Sequence, residues 1–262
     1  MVVLASNKNK FKKRTIIKLK TMNFLKSIAV LVLVTCSINA NAQWGKSKKV
    51  KGNGDITTVN RSTNDYNGVK VSGSLDVHLV EGNEGDISIK GDSNLMEYII
   101  TEVKNNNLVV KVKKGFYLKP SKSLIVTVPY ESINNIGIAG SGDIKNSGTI
   151  KADELDISVA GSGDIDLNVN TNSLESSIAG SGDIEITGKT ENLVAKIAGY
   201  GSFNGSDLDS IDVTVKISVS GDADVVCNGN LIVRISGSGD VNYSGTPKNK
   251  DTKISGSGSV SN

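Results

Sequence analysis

The sequence predicts an all-β protein, a parallel β-helix-like solenoid with about 19–22 residues per repeat and an irregular N-terminal β part. The first observation is the stretch Ala-Gly-Ser-Gly-Asp-Ile at 139–144, which recurs at 160–165 and 179–184. Looser copies follow, and they begin at Ala198, Ser220, Ser236 and Ser255. A period of about 20 residues is typical of a solenoid, in which each unit stacks on the last.

The second observation is the alternation of apolar and polar residues around this stretch. Leu155, Ile157 and Val159 alternate with polar residues, and the alternation resumes at Ile165 beyond the glycines. A period of two predicts half-buried strands, whereas a helix would need an apolar stripe with a period of about 3.6. We prefer a parallel β-helix to a propeller, because propeller blades need roughly 40 residues or more.

The third observation is the glycine content, 28 in all and every one after position 42, with only three prolines in the chain. Glycine leaves no Cβ where stacked backbones crowd, so the repeated stretch predicts a tight corner between two strands. The predicted corner glycines are Gly140, Gly142, Gly161, Gly163, Gly180, Gly182, Gly199, Gly237, Gly239 and Gly256.

Residues 66–130 are predicted as an irregular part that caps the solenoid repeats of 131–262, since a solenoid must cover its open edge. Alternating residues predict five strands, and Pro129 is expected to end the last. They are 69–71, 77–79, 87–89, 108–112 and 124–128, with one helical turn at 93–100. The polar segment 43–65 is predicted to be a flexible lead-in.

The beginning of the chain, residues 1–42, is predicted to be a signal peptide whose true start is Met22. Lys26 precedes a short apolar core at 28–34, and Ala40-Asn41-Ala42 is a small-x-small cleavage site. We therefore expect cleavage near Ala42 and export to the periplasm, the outer surface or the medium.

The apolar run is too short to span a membrane, so the mature chain is expected to have no span. The alternative is a lipoprotein lipidated at Cys36, although Thr35 fits that motif poorly. Cleavage leaves Cys227 as the single cysteine, which excludes an intrachain disulfide and a cysteine metal cluster. We expect Cys227 to be a buried thiol.

The net charge of +3 is the sum of a basic segment at the beginning of the chain and an acidic remainder. Residues 1–42 carry eight basic and no acidic residues, which leaves 22 basic and 27 acidic residues, a net charge of −5, for the remainder. This acidic balance argues against nucleic acid as a partner.

The order of motifs in 66–245 resembles the head GIN domain of putative autotransporter adhesins, a domain of unknown function common in Bacteroidetes. The matching stretches begin with Gly68-Val69-Lys70-Val71-Ser72-Gly73-Ser74-Leu75-Asp76-Val77-His78-Leu79. Asn94-Leu95, Asn107-Leu108-Val109-Val110 and Ser132-Ile133-Asn134-Asn135-Ile136 follow, leading into the corner at 139–143. The resemblance implies a secreted or surface protein with a solenoid-like β fold.

The aspartates of the repeat form the sharpest chemical pattern. They cap turns by accepting backbone N–H bonds, or they form a calcium ladder. We prefer capping, because the calcium-binding β-roll uses nine-residue repeats. The metal candidates are Asp143, Asp164, Asp183 and Asp240, and the wider ladder adds Asp224.

No catalytic set is apparent. His78 is the only histidine and lies at an outward-facing position between Val77 and Leu79, so a surface role is expected. Tyr200 and Phe203 interrupt the fourth corner; they form an exposed contact patch or pack inward. A phosphate loop is excluded because the corner lacks the Gly-Lys-Ser/Thr ending.

We therefore predict a non-enzymatic adhesion-type or scaffold module of the envelope that needs no cofactor. Stacked polar faces suit weak multivalent contacts with glycan or a surface protein. The alternatives are a carbohydrate-active β-helix enzyme and a purely structural envelope protein. The last copy, beginning at Ser255, has no obvious cap, which would allow end-to-end self-association.

Overall fold

A computed structural model describes residues 47–262, and these form a β-solenoid of about seven turns. The all-β prediction is confirmed, because almost every element is a strand. The predicted signal peptide, its cleavage site and the Met22 start lie outside the described residues.

The irregular N-terminal part contains nine strands and one short 3-10 helix. The helix, Ser93–Tyr98, falls within the predicted helical turn. The strands are β1 (Lys48–Lys51), β2 (Ile56–Ser62), β3 (Gly68–Gly73), β4 (Asp76–Glu81), β5 (Asp86–Asp92), β6 (Ile99–Lys104), β7 (Asn107–Val112), β8 (Phe116–Lys119) and β9 (Ile125–Tyr130).

The repeating part contains twelve strands, all paired in parallel with the equivalent strands of neighbouring coils. They are β10 (Asn135–Gly140), β11 (Ile144–Ser147), β12 (Ile150–Gly161), β13 (Ile165–Gly180), β14 (Ile184–Gly199), β15 (Ser202–Gly205), β16 (Leu208–Val219), β17 (Asp222–Val226), β18 (Asn230–Gly237), β19 (Val241–Ser244), β20 (Asn249–Gly256) and β21 (Val260–Ser261).

Each coil has one strand arm before the glycine corner and one after it. The outward side of the arms before the corner is called the first face, and that of the arms after it the second face. The first face is built by β10, by the last halves of β12, β13 and β14, by the last part of β16, and by β18 and β20. β11, the first halves of β13 and β14, β15, β17, β19 and β21 build the second.

The core is a set of columns in which the same inward position repeats from coil to coil. One column lies directly before the corner, and each of its members is at most 3% exposed. It consists of Ile138, Val159, Ile178, Ile197, Ile217 and Ile235. Burying one such aliphatic side chain contributes on the order of 2 kcal/mol, so the repeated column is a main source of stability.

The N-terminal end of the solenoid is covered by strands that do not repeat. β3 pairs with β10 on one side and with β7 on the other, and β7 pairs antiparallel with β6. The opposite end differs, because β20 is paired with β18 alone among the described strands and all eight of its residues are exposed. Ile254 continues the position of Ile235 on β20 and is 41% exposed for this reason.

The structure differs from the predicted flexible lead-in over the described part of that segment, residues 47–65. β1 pairs with β8, and β2 pairs antiparallel with β5 through seven residue pairs. Arg61 on β2 donates hydrogen bonds to the carbonyl oxygens of Met96 and Ile99, at 2.6 and 2.5 Å. The polar composition misled the prediction, since this segment gains order from backbone pairing.

The expectation that Pro129 ends its strand is wrong, because Pro129 lies inside β9. The antiparallel pairing of β9 with β5 stops at Thr127, so the missing N–H of Pro129 removes no ladder bond on that side. The Pro129 carbonyl accepts a hydrogen bond from the buried Tyr66 hydroxyl at 2.5 Å.

No helix within residues 47–262 is long and apolar enough to cross a membrane.

Candidate binding surfaces of the solenoid

The corner glycines occupy two positions that the stacking defines. At the first position φ lies between +128° and +152°, in Gly140, Gly161, Gly180, Gly199, Gly237 and Gly256. At the second position a Cβ would collide with a backbone carbonyl of the preceding coil, in Gly142, Gly163, Gly182 and Gly239. All ten predicted corner glycines therefore lie where a side chain is strained or excluded.

The register corrects one predicted copy of the repeat. Ser218, and not Ser220, pairs with Ala198 and Ser236, which makes the spacing of the corners more even. The first corner position of this coil is then Val219, whose φ is +89°. A β-branched residue with this backbone conformation is an outlier.

The aspartate after each corner caps the next coil. Asp143 accepts a hydrogen bond from the backbone N–H of Asp164 at 3.4 Å, and Asp164 accepts one from Asp183 at 2.9 Å. Asp183 accepts bonds from both the N–H and the hydroxyl of Ser202. Asp240 does the same for Ser259. Each carboxylate thus supports a backbone donor one coil further along.

Asp224 does not belong to this ladder. The corrected register places Asp222 at the capping position, where it accepts the backbone N–H of Asp240 at 2.8 Å. Asp224 lies further along the same arm and bonds the side-chain amide of Asn242.

Carboxylates also line a groove of about 270 Å³ on the second face. Asp143, Asp164 and Asp183 form its corner side, and Asp166 and Glu185 project from the strands beside them. Within residues 47–262 no group of three or more histidine, cysteine, aspartate or glutamate side chains has the arrangement of a metal site. The corner carboxylates of the groove are engaged with backbone donors.

The first face carries the opposite charge in its C-terminal half. Four basic side chains stand directly beside one another on adjacent strands, and we call them the cationic column: Lys196, Lys216, Arg234 and Lys253. Lys196 contacts Glu175 and Arg234 contacts Asp251, each at 2.5 Å. The first face therefore carries a continuous row of basic side chains, and the only acidic side chains paired with them within residues 47–262 are Glu175 and Asp251.

The aromatic pair at the fourth corner divides between surface and core. Tyr200 is 73% exposed, whereas Phe203 is fully buried, so a contact patch formed by both is excluded. The Phe203 ring occupies the space beside Gly205, where a Cβ would be in close contact with it. At the N-terminal end Tyr117 is 58% exposed, and the Tyr98 ring packs at a tilt of 46° against Phe116, with ring centroids 4.6 Å apart.

The two remaining residues that could take part in catalysis, His78 and Cys227, lie apart from any catalytic partner among the described residues. His78 is exposed on β4, between Thr127 and Lys145 of the neighbouring strands. Cys227 is fully buried, as predicted, and its thiol donates to the carbonyl oxygen of Ile211 at 3.4 Å. Burial raises the pKa of the Cys227 thiol above its usual range, which keeps it protonated and unreactive.

Comparison with known protein families identifies the fold. Residues 65–247 match the family described as "Putative auto-transporter adhesin, head GIN domain". The chain belongs to the head GIN domain family. The resemblance predicted from the motifs of 66–245 is thereby confirmed. No curated protein matches the chain.

Solved structures share the solenoid. A putative adhesin from Bacteroides fragilis superposes with a TM-score of 0.75 at 21% identity, covering 81% of this chain and 99% of that one. A putative adhesin from Parabacteroides merdae has a TM-score of 0.62 at 26% identity, with coverages of 82% and 98%. A structure described as a putative lipid binding protein from Parabacteroides distasonis has a TM-score of 0.66 at 25% identity, with coverages of 82% and 99%.

The cationic column was missed in the sequence, although a signal for it exists. Its members follow one another at the same spacings as the corrected corners. Each lies two positions before the small residue that opens its corner, as Lys196 does before Ala198. Beginning the fifth copy at Ser218, instead of at Ser220, brings Lys216 into line with the other three members.

Proposed function

We propose that this head GIN protein is an exported, surface-associated adhesion module that acts by binding and not by catalysis. The family description and the putative adhesin from Parabacteroides merdae support this role. Its partners would be glycans or proteins of a cell surface.

The observation that carries the proposal is the register of the outward residues. Equivalent positions of successive coils stand directly beside each other, about 4.8 Å apart, so that each polar position becomes a continuous column. The backbone N–H of Asn168, for example, donates to the Asn146 side chain of one coil, and its side-chain amide donates to Thr187 of the next. Such fixed rows favour many weak contacts that add up in avidity.

The enzymatic alternative has no such support. A glycoside-cleaving site needs two carboxylates free to act as acid and base or nucleophile. In the second-face groove Asp143, Asp164 and Asp183 accept hydrogen bonds from the next corner. These three are committed to holding the backbone, so an acid–base pair in this groove would have to be Asp166 and Glu185, which stand beside each other on β13 and β14.

The test is binding of the purified protein to an array of immobilised glycans and surface proteins. We expect reproducible, saturable binding, with a weak affinity for each single site and a gain when the protein is multimerised. The Tyr200→Ser variant tests whether the exposed ring at the fourth corner contributes to binding. Tyr117→Ser, at the far end, is its matched control.

Absence of binding to every glycan and protein on the array would contradict the adhesion role and favour a purely structural envelope component. Turnover of any glycan on the array, measured as released sugar, would contradict the non-enzymatic part of the proposal. Because Tyr200 and Tyr117 are both exposed, neither substitution is expected to change the melting temperature.

A further inference from the structure

The cationic column is a row of four charges along the solenoid axis. Lys196 pairs with Lys216, Lys216 with Arg234, and Arg234 with Lys253, each on the adjacent strand. With strands about 4.8 Å apart, the row is about 14 Å long. Like charges directly opposite one another on neighbouring strands lower the stability of a sheet. The column thus has an electrostatic cost in the free protein.

This cost is only partly relieved inside the protein. Glu175 and Asp251 each neutralise one member of the column, at its first and third positions. Lys216 and Lys253 form no ion pair within residues 47–262. Residues 43–262 as a whole carry a net charge of −5, so the row does not follow from a generally basic surface.

The surface beside the column is shaped to admit a ligand. A groove of about 340 Å³ runs along it, bounded by Lys216, Arg234 and Lys253 on one side. On its other side stand the small residues Ser218, Ser236 and Ser255, which pair in register as the column does, and Ile217 and Ile235 line the groove between the two rows. Their hydroxyl groups supply neutral hydrogen-bond donors and acceptors next to the charges.

The charge of the neighbouring face limits what can bind here. Beyond the corner, the coils that carry Lys216 and Arg234 present three carboxylates, Asp222, Asp224 and Asp240. The favourable surface is therefore a strip about one side chain wide. A narrow anionic chain fits such a strip, whereas a flat membrane or a duplex would also meet the acidic face.

We propose that the cationic column binds a linear anionic polysaccharide that lies along the solenoid axis with its carboxylate or sulfate groups against the four basic side chains. This inference rests on the adhesion role proposed above and specifies its ligand class and its face. Arg234 can hold a carboxylate or sulfate with two parallel hydrogen bonds, and the lysines act as point charges.

The test measures binding of the purified protein to heparin, polygalacturonate and neutral dextran. We expect binding to the two polyanions and not to dextran, falling as sodium chloride screens the charges. The double variant Lys216→Ala/Lys253→Ala should weaken binding about fivefold for each lysine removed. Lys216→Arg/Lys253→Arg should restore it.

Thermal unfolding distinguishes a role of these lysines in stability from a role in ligand binding. Removing two of four stacked like charges should leave the melting temperature unchanged or slightly higher, because repulsion is relieved. The matched control is Lys145→Ala/Lys189→Ala, which removes the same charge from exposed positions outside the first face and should leave polyanion binding unchanged.

Several outcomes would overturn the inference. Equal weakening by the control variant would show that net charge, and not the column, is recognised. Binding to vesicles that contain phosphatidylglycerol but not to the polyanions would assign the surface to lipid. Binding to neutral glycans alone would leave the adhesion role intact and refute the column, whereas no binding to any glycan or surface protein would refute both.

Discussion

Val219 shows how strictly one residue position is set by the repeat. Six coils place glycine at this point with positive φ, and the seventh keeps the same backbone conformation with a β-branched side chain. The side chain is 46% exposed, so it gains little from burial. Strain of this kind costs on the order of 1–3 kcal/mol.

The Val219→Gly variant should therefore be more stable than the natural protein. We expect a gain of about 1 kcal/mol, since the relieved strain exceeds the entropy that glycine loses on folding. For a domain of this size that corresponds to about 2–4 °C in the melting temperature. Val219→Ala, which keeps a Cβ at the same φ, is the control and should gain less. A lower melting temperature for Val219→Gly would contradict the assignment.

At the scale of the element, Asp92 joins three segments of the N-terminal part. Its buried carboxylate accepts hydrogen bonds from the backbone N–H of Gly54 at 2.7 Å and from both the N–H and the hydroxyl of Ser121. These bonds, the Ser121 hydroxyl first, hold the pKa of Asp92 below its ordinary value of 3.8. The end of β5 is thus tied to the segment before β2 and to the loop before β9.

This geometry predicts a specific pH dependence. Because the folded-state pKa of Asp92 is lowered, its stabilisation is complete above about pH 4 and is lost as the pH falls through the folded-state value. We expect Asp92→Asn to have a lower melting temperature than the natural protein at pH 7, and we expect this difference to become smaller as the pH falls below 3.8. Exposed Asp166→Asn should show no such convergence. A constant difference between Asp92→Asn and the natural protein across the pH range would contradict the prediction.

The repeating elements could be predicted from sequence because local and global signals agree there. Alternation around Leu155 and Ile165 fixes which side chains point inward, and the corner glycines fix where the arms meet. The N-terminal part could not be predicted as well. Its order depends on pairing between distant strands, such as β1 with β8, and on single contacts such as those of Asp92.

The candidate surfaces were predicted less completely than the fold. The aspartate ladder was visible, but its exact members required the register, which replaces Asp224 by Asp222. The cationic column depends on which residues become neighbours across coils, and Phe203 was indistinguishable from Tyr200 until its inward position was known. A surface built by stacking becomes apparent only when the repeats are aligned correctly.

At the scale of the whole molecule, the same stacking creates both the core and the faces. Each coil contacts the coils on either side of it, so stability and surface are both sums over neighbours. Removing one complete coil should preserve every column, whereas removing part of one should disrupt them all. The comparison of these two deletions distinguishes a solenoid, in which each coil depends on its neighbours in register, from a fold that depends on unique long-range contacts.

The most direct measurement is the thermal unfolding of a variant that lacks one complete coil, positions 161–179, beside a half-coil control that lacks positions 161–170. The full-coil deletion joins Ala160 to Gly180, which retains the corner and brings β12 beside β14 in register. We predict a cooperative transition at a moderately lower temperature for the full-coil deletion, with β-sheet circular dichroism retained, and none for the half-coil deletion. Loss of cooperative unfolding in both variants would contradict the proposed register.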